Sequence, residues 1–173
     1  TTWKRAIELA GMAVGLSDPN PRVGCVIMGA HGETLGEGHT LAAGDAHAEV
    51  AALRAAQVAG HDVRGATAVV SLEPCSHHGR TPPCSQALVA AGIARVAVAC
   101  EEPNPLVMGQ GLGQLRAAGV AVEVVGGEFA LATRELNIGF FSRMTRRTPW
   151  VRLKVAASLD GRTALPDGAS QWI

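Results

Sequence analysis

Apolar residues occur along this chain in two patterns, short continuous runs and helical spacing, and these patterns predict alternating strands and helices. Short runs of Val, Ala, Ile, Leu and Cys predict buried strands over residues 23–28, 66–72, 95–100 and 120–125. Apolar residues at helical spacing predict helices over residues 2–15, 45–59, 85–91, 111–118 and 128–146. The turn at residues 31–33 predicts a hairpin that leads from the first strand into residues 34–38.

This alternation favours one fold class. Strands that alternate with helices at such a spacing form βαβ units, so we expect an α/β domain whose mostly parallel sheet is covered by helices on both faces. Hydrophobic residues make up 47% of the chain and aromatic residues only 3%, so helices and sheet are expected to meet through small side chains. A length of 173 residues suits one well-buried domain and is too short for two full ones.

The pattern changes at Thr148. Pro149 ends the last predicted helix, and the apolar residues at 151, 153 and 155 then alternate with other residues, like a strand that enters a new sheet. We therefore expect a first domain over residues 1–147 and the beginning of a truncated second domain over residues 148–173.

Charge and hydropathy limit the possible partners. The 15 basic and 15 acidic residues cancel, so no broad nucleic-acid surface is expected, and a bound phosphate would be one small group. No segment approaches the roughly 20 apolar residues of a membrane span, and the first residues lack the apolar stretch of a signal peptide. We expect a cytoplasmic protein without membrane partners, whose four cysteines are reduced.

Four residues in two separate segments form the strongest chemical signal. His47 supplies an imidazole, and Cys75 and Cys84 supply two thiolates, which are ligands that Zn²⁺ prefers. Three protein ligands leave a fourth position for water, and Glu49 lies two residues from the histidine, where its carboxylate would move protons. Their order and spacing are typical of a zinc-dependent hydrolytic deaminase.

Another interpretation of this set stays open at this point. A structural zinc site needs a fourth protein ligand, which His39, His77 or His78 would supply. The chain would then be a zinc-stabilised binding module that releases no ammonia.

The segment between the two cysteines holds a further signal. Its eight residues, 76–83, include the imidazole of His77, the guanidinium of Arg80 and the hydroxyl of Thr81 around a glycine, a set of donors suited to a phosphate or a sugar. The alternative is a solvated loop without a ligand. Asn20 and Asn104 each lie between two prolines, which is a rigid way to present an amide to the edge of a heterocycle.

Four segments of the chain together match the pattern of one known family. They are Pro19-Asn20-Pro21-x-Val23-Gly24-Cys25-Val26, His47-Ala48-Glu49-Val50, residues 72–84 with the long cysteine loop, and Glu102-Pro103-Asn104-Pro105-x-Val107-x-Gly109-x-Gly111. These segments resemble the deaminase half of the bifunctional deaminase–reductases of riboflavin biosynthesis. The tail, with Leu153-Lys154-x-Ala156-x-Ser158-Leu159-Asp160-Gly161 and Ser170-x-Trp172-Ile173, resembles the start of the reductase half.

This resemblance implies a cytidine-deaminase-like αβα sandwich in three layers. It implies hydrolytic deamination of 2,5-diamino-6-ribosylamino-4(3H)-pyrimidinone 5′-phosphate to the corresponding 5-aminouracil ribotide and ammonia. His47, Cys75 and Cys84 would bind zinc, and Glu49 would be catalytic. The implied substrate contacts are Asn20, His77 and Asn104 on the pyrimidine or ribityl part and Arg80 and Thr81 near the phosphate.

The resemblance also bears on the tail and on assembly. Lys154 and Asp160 match positions of the NADPH-dependent reductase, but about 25 residues cannot build that domain, so no reduction is expected. Members of the family tend to associate, so we expect a homo-oligomer. The runner-up activity is a deaminase of tRNA adenosine or of a free nucleobase, which the neutral charge and the long cysteine loop argue against.

Two positions depart from the usual pattern of the family. The imidazole of His39 lies one position early, so either His39 or Thr40 would face the substrate. Glu102 replaces the usual aspartate before Pro103, which keeps the charge.

Overall fold

The computed structural model describes residues 1–79 and 81–170 of the chain. Within these residues the strands are β1 (Gly24–Met28), β2 (Thr34–His39), β3 (Thr67–Val70), β4 (Arg95–Val98) and β5 (Ala121–Val124). The helices are α1 (Thr2–Gly11), α2 (Ala48–Val58), α3 (Cys84–Ala90), α4 (Gln110–Ala117), α5 (Gly127–Leu136) and α6 (Ile138–Arg146). None of these helices is both long enough and apolar enough to cross a membrane.

The strands form one mixed sheet in the order β2-β1-β3-β4-β5. β3, β4 and β5 pair in parallel, whereas β1 pairs antiparallel with both β2 and β3. Four strands therefore run in one direction, as expected for a mostly parallel sheet, and β1 runs against them. The physical reason is the β1–β2 hairpin: α2 then crosses over β1 and places β3 on its other side.

Alternating residues of the central strands face opposite layers of helices. Cys25, Ile27 and Val70 belong to a core with α2, α3 and α4, whereas Val26 and Val69 pack against α1. α5 lies beside α1, where the rings of Trp3 and Phe129 stack with centroids 5.4 Å apart. The predicted three-layer αβα sandwich is confirmed.

Small residues hold α2 close to the sheet. A Cβ atom on Gly36 or Gly38 of β2 would overlap the backbone of α2 at Ala52, so only glycine permits this approach. Ala48, Ala52 and Ala56 form the buried side of the helix. This contact confirms the expected use of small side chains and sets the position of the N-terminus of α2.

The C-terminal helical region differs from the single helix predicted over residues 128–146. Two helices, α5 and α6, meet at Asn137, whose backbone leaves helical geometry at φ −107° and ψ 20°. The Asn137 side chain bonds the backbone of Arg22, a contact 115 positions away that no local periodicity reveals.

The strand predicted after Pro149 is not formed within the described residues. Val151 and Leu153 are 81% and 82% exposed, and no described strand pairs with this segment. An alternating pattern yields a strand only when a neighbouring strand accepts its hydrogen bonds.

Candidate active site

Two helix N-termini and the segment after β3 bring His47, Glu49, Cys75 and Cys84 together. α2 begins at Ala48, three residues later than predicted, so His47 is its N-cap, whereas Glu49 lies in the first turn as expected. Cys84 is the first residue of α3, one position before the predicted start, and its N–H donates to the Sγ of Cys75 at 3.3 Å. The unpaired N–H groups and the dipole of a helix N-terminus stabilise negative charge on such sulfurs.

The imidazole and the two sulfurs lie at distances that suit one metal ion. The Nδ1 atom of His47 is 3.6 Å from the Sγ of Cys75 and 3.5 Å from the Sγ of Cys84, and all three ligand atoms lie within 4.8 Å of one another. Tetrahedral zinc with bonds of about 2.0–2.1 Å to nitrogen and about 2.3 Å to sulfur separates such ligands by roughly 3.6 Å. The residues therefore fit zinc.

The electrostatics of the two cysteines also suit a dication. A hydrogen bond from Cys84 and another with His47 lower the pKa of Cys75 to about 4, although burial opposes the shift. The pKa of Cys84 is raised because this thiol donates to Cys75 and is itself buried. One thiolate thus forms readily, while a second negative charge beside it requires a cation.

Glu49 is a buried carboxyl group beside this cluster. Its exposed fraction is 3%, and burial raises its pKa to about 7, with the negative charge of Cys75 as a second cause. A carboxyl group whose pKa lies near neutrality accepts and returns protons efficiently.

A cavity with two adjoining lobes opens onto the cluster. The first lobe has a volume of about 260 Å³. Its lining includes three carboxylates, Glu49, Glu73 and Glu102, and several apolar side chains, among them the aromatic ring of Phe140. The second lobe has a volume of about 230 Å³, and none of the described residues that line it is acidic. The two lobes share Pro19, Asn20, His47, Cys75 and His77.

The structure places most of the sequence-predicted substrate residues at this cavity. Asn20 and His77 line both lobes, Asn104 lines the first and Thr81 lines the second. Arg80, Trp172 and Ile173 lie outside the described residues. Lys154 and Asp160, in the exposed tail, line neither lobe.

The cavity lining also bears on the histidines. Thr40 lines the first lobe, whereas His39 lines neither. Among the described residues, His47, Cys75 and Cys84 form the only cluster suited to a metal, and His39, His77 and His78 do not join it. This arrangement leaves the cluster with three protein ligands.

Glu73 is an organising residue that sequence reasoning left without a role. It is 6% exposed and its carboxylate accepts four backbone N–H groups, from Glu102, Gly109, Gly111 and Leu112, at 2.9–3.2 Å. These bonds tie the segment that carries Asn104, and the start of α4, to the end of β3. Its position directly before Pro74-Cys75 was the available signal, but the donors come from a distant part of the chain.

Arg143 has a role at the cavity that its place in the last turn of α6 does not reveal. It lines the first lobe beside Phe140 and donates to the carbonyl oxygen of Pro19 at 2.6 Å. Arg143 is the only lysine or arginine among the described lining residues of the two lobes. Glu102 faces the same lobe, and burial raises its pKa to about 7.

Comparison with known proteins agrees with this fold and this cluster. Residues 1–100 match the model of the cytidine and deoxycytidylate deaminase zinc-binding region, and the chain belongs to this family.

Within the family, the similarity is to proteins named RibD. The chain is 52% identical over 169 residues to the riboflavin biosynthesis protein RibD of Escherichia coli, covering 98% of this chain and 44% of that protein. The solved structure of Acinetobacter baumannii RibD superposes with a TM-score of 0.86 at 50% identity, covering 98% of this chain and 46% of the other.

A third relative carries a more explicit description. It is the diaminohydroxyphosphoribosylaminopyrimidine deaminase/5-amino-6-(5-phosphoribosylamino)uracil reductase of Thermotoga maritima, with a TM-score of 0.89 and 40% identity, covering 98% of this chain and 48% of the other. The chain thus spans about half the length of these relatives. The family resemblance noted in the sequence is confirmed.

Proposed function

We propose that the chain is a zinc-dependent deaminase of riboflavin biosynthesis. Its substrate would be 2,5-diamino-6-ribosylamino-4(3H)-pyrimidinone 5′-phosphate, and its products 5-amino-6-ribosylaminouracil 5′-phosphate and ammonia. The observation that carries this proposal is a three-ligand cluster of His47, Cys75 and Cys84. His47 and Cys75 of this cluster line a cavity together with the buried carboxyl group of Glu49. The names of the similar proteins support the choice of substrate.

The metal and Glu49 would divide the chemistry between them. Zinc, when bound, supplies the Lewis acid that makes water a nucleophile at neutral pH. The carboxylate of Glu49 would accept a proton from the attacking water, pass a proton to a ring nitrogen, and protonate the amine as it departs. Its raised pKa of about 7 supports a role that both accepts and donates protons.

The two lobes suit the two ends of the substrate. The first lobe contains Glu49 and would hold the pyrimidine, with the amides of Asn20 and Asn104 at its edge. The second lobe contains no acidic lining residue and presents Thr81 and backbone at Gly44 and Gly79, so it would hold the ribose phosphate. Arg80, outside the described residues, belongs to this proposal on its sequence position alone.

Domain organisation and assembly belong to the same proposal. Residues 1–147 would form the deaminase domain, and residues 148–173, with Lys154 and Asp160, the beginning of an NADPH-dependent reductase domain. The RibD relatives, of which the chain covers 44–48%, support this division. We also propose that the protein forms a homo-oligomer, that its ligand is a small molecule and not a nucleic acid, and that it is cytoplasmic.

Ammonia release tests the activity and the role of Glu49. The zinc-loaded chain is incubated with the diaminopyrimidine ribotide, with cytidine and with a tRNA, and turnover of the ribotide alone is expected. Glu49→Gln should lower this rate on the order of 10³-fold while metal analysis still finds one zinc per chain. Cys75→Ala should lose the zinc together with the activity, and the exposed Glu128→Gln serves as the matched carboxylate control.

Other outcomes would contradict these assignments. Loss of zinc in Glu49→Gln would make Glu49 a ligand or a structural residue. Absence of ammonia with every substrate, despite bound zinc, would favour the zinc-stabilised binding module.

A second comparison tests the phosphate lobe. Thr81→Val and Arg80→Ala should each raise KM for the ribotide about tenfold and leave KM for the dephosphorylated nucleoside unchanged. Ser76→Ala, in the same loop but outside the lining of both lobes, is the control. Equal effects on the ribotide and the nucleoside would remove the phosphate from this lobe.

A further inference from the structure

We propose that Asn137 is a positioning residue that holds Asn20 in the substrate cavity. This inference rests on the proposed function, because it assigns to a distant buried amide the placement of a residue that would contact the substrate. Asn137 is 3% exposed and does not line either lobe, so it would act only through the loop that carries Asn20.

The Asn137 amide is fully used in binding backbone. Its Oδ1 accepts from the N–H of Arg22 at 2.7 Å, and its Nδ2 donates to the carbonyl oxygen of Arg22 at 2.9 Å and to that of Thr133 at 3.1 Å. The two bonds to the N–H and carbonyl groups of Arg22 fix the position and the orientation of its backbone, as a paired residue in a neighbouring β-strand would. Aspartate, serine or alanine cannot reproduce this combination of acceptor and donors.

Two arginines reinforce the same junction. The Nη1 of Arg22 donates to the carbonyl oxygen of Leu136 at 2.8 Å, and the Nη2 of Arg143 donates to that of Pro19 at 2.6 Å. The segment from Pro19 to Arg22 is therefore tied to the last turn of α6 before Asn20 and to the α5–α6 junction after it.

A displacement of the Arg22 backbone would move Asn20 by a similar distance. Only Pro21 separates the two residues, and its ring fixes one backbone dihedral. On the other side, the Asn20 N–H donates to the carbonyl oxygen of Ser17 at 2.8 Å, and the Ser17 hydroxyl donates to that of Asn20 at 3.2 Å. With Asn137 removed, the Arg22 peptide would lose both of its anchoring bonds, and Asn20 would be oriented only by the Ser17 turn and the two arginine bonds. A shift near 1 Å in a substrate-positioning group costs on the order of 10²-fold in rate.

A double-mutant cycle on kcat/KM tests the pathway through Asn20. Asn137→Ala is expected to lower kcat/KM for the ribotide 10- to 50-fold, on the order expected for a misplaced substrate contact. In an Asn20→Ala background the same substitution should change kcat/KM less than about twofold, because the group it positions is gone. Ser142→Ala is the matched control: this buried hydroxyl, in the helix that Asn137 precedes, donates to the carbonyl oxygen of Thr148 and lines neither lobe.

The control separates positioning from stability. Ser142→Ala should lower the melting temperature, as Asn137→Ala does, yet leave kcat/KM within about twofold of the parent. An equal loss of kcat/KM in Ser142→Ala, or a loss from Asn137→Ala that persists in the Asn20→Ala background, would overturn the proposal. If Asn137→Ala does not fold, Asn137→Asp keeps the acceptor for Arg22 and loses the donors, and an intermediate loss is expected.

A spectroscopic measurement keeps this inference distinct from the proposed activity. The side-chain amide resonance of Asn20, assigned by its disappearance in Asn20→Ala, should shift or broaden in Asn137→Ala and stay unchanged in Ser142→Ala. This result is independent of turnover, so a chain that deaminates nothing would refute the proposed function and still test the positioning role. An unchanged Asn20 resonance in Asn137→Ala would refute the positioning role itself.

Discussion

The two loops that bring an asparagine to the cavity begin from the same local sequence and are held by different chemistry. The first asparagine loop, residues 17–22, and the second asparagine loop, residues 101–109, both place Asn between prolines. The first is held by a neutral amide, Asn137, from the far end of the domain. The second is held by a carboxylate, Glu73, which follows the adjacent strand β3 and accepts four N–H groups from the second loop and the start of α4.

This difference shows that a rigid local sequence does not place its own side chain. Proline restricts the backbone on both sides of each asparagine, but the orientation of the loop relative to the cavity comes from buried polar groups elsewhere. A charged acceptor holds its loop more strongly than an amide does, because hydrogen bonds to ionised groups are stronger than those between neutral ones.

The largest expected effect comes from removing the charge that holds the second loop. Glu73→Gln replaces one carboxylate oxygen with an NH₂ group that faces backbone donors, so we expect the free energy of unfolding to fall by about 3 kcal/mol in urea titrations. The exposed Glu33→Gln, whose carboxylate accepts one N–H from His31, should change it by less than about 0.5 kcal/mol. Equal stability of Glu73→Gln and the parent would show that the second loop has another anchor.

Two glycines of α4 offer a sharper test of the same anchor. A Cβ on Gly111 would overlap the carbonyl oxygen of Pro74 and press on Glu73, whereas a Cβ on Gly113 meets nothing within 4 Å. Gly111→Ala should therefore cost about 2 kcal/mol of unfolding free energy, and Gly113→Ala should add about 0.5–1 kcal/mol. If both substitutions stabilise the chain, α4 lies farther from the Pro74 carbonyl oxygen than the structure shows.

The second loop should also respond to pH, because Glu102 lies in it. Burial raises the pKa of this carboxyl group from its ordinary 4.5 to about 7, so the folded state holds the proton more tightly than the unfolded state. The stabilisation that protonated Glu102 gives the folded state is fully present below about pH 4.5 and is lost as the pH rises through about 7. Glu102→Gln should therefore gain stability over the parent as the pH rises from 4 to 8. After a discount for the partial exposure of Glu102, we expect the gain in the free energy of unfolding to be about 1–2 kcal/mol.

Unfolding curves at several pH values check this sign. A difference between Glu102→Gln and the parent that does not change with pH would mean that Glu102 ionises normally. The first loop contains no such buried carboxyl group, so variants at Asn137 should show no matching pH dependence.

The smallest effect concerns the anchor of the first loop. Thr133, whose carbonyl oxygen accepts from Asn137, is fully buried, and its hydroxyl has no hydrogen-bond partner among the described residues. Thr133→Val should raise the free energy of unfolding by about 0.5–1 kcal/mol, because an unsatisfied hydroxyl is replaced by a methyl group of similar shape. Thr145→Val is the control, since its exposed hydroxyl donates to the carbonyl oxygen of Phe141 and should not stabilise the chain when removed.

Much of the site was predictable because its chemistry is carried by residue type. An imidazole, two thiols at helix or strand ends and a nearby carboxylate form a recognisable set, and helical periodicity placed Cys84 at the start of α3. Glu73, Asn137 and the cavity-facing position of Arg143 were not predictable in the same way, since each acts on backbone from a distant segment.

The sequence by itself determined the five strands of the sheet, most helices, the family and the residues that suit zinc, because periodicity and ligand type are local properties of a chain. Only the tertiary structure decided that β1 also pairs antiparallel with β3, that the C-terminal helix breaks at Asn137, and that Thr40 rather than His39 lines the cavity. These outcomes depend on which distant groups satisfy buried hydrogen-bond donors and acceptors, a choice made only when the sheet and its helices are assembled.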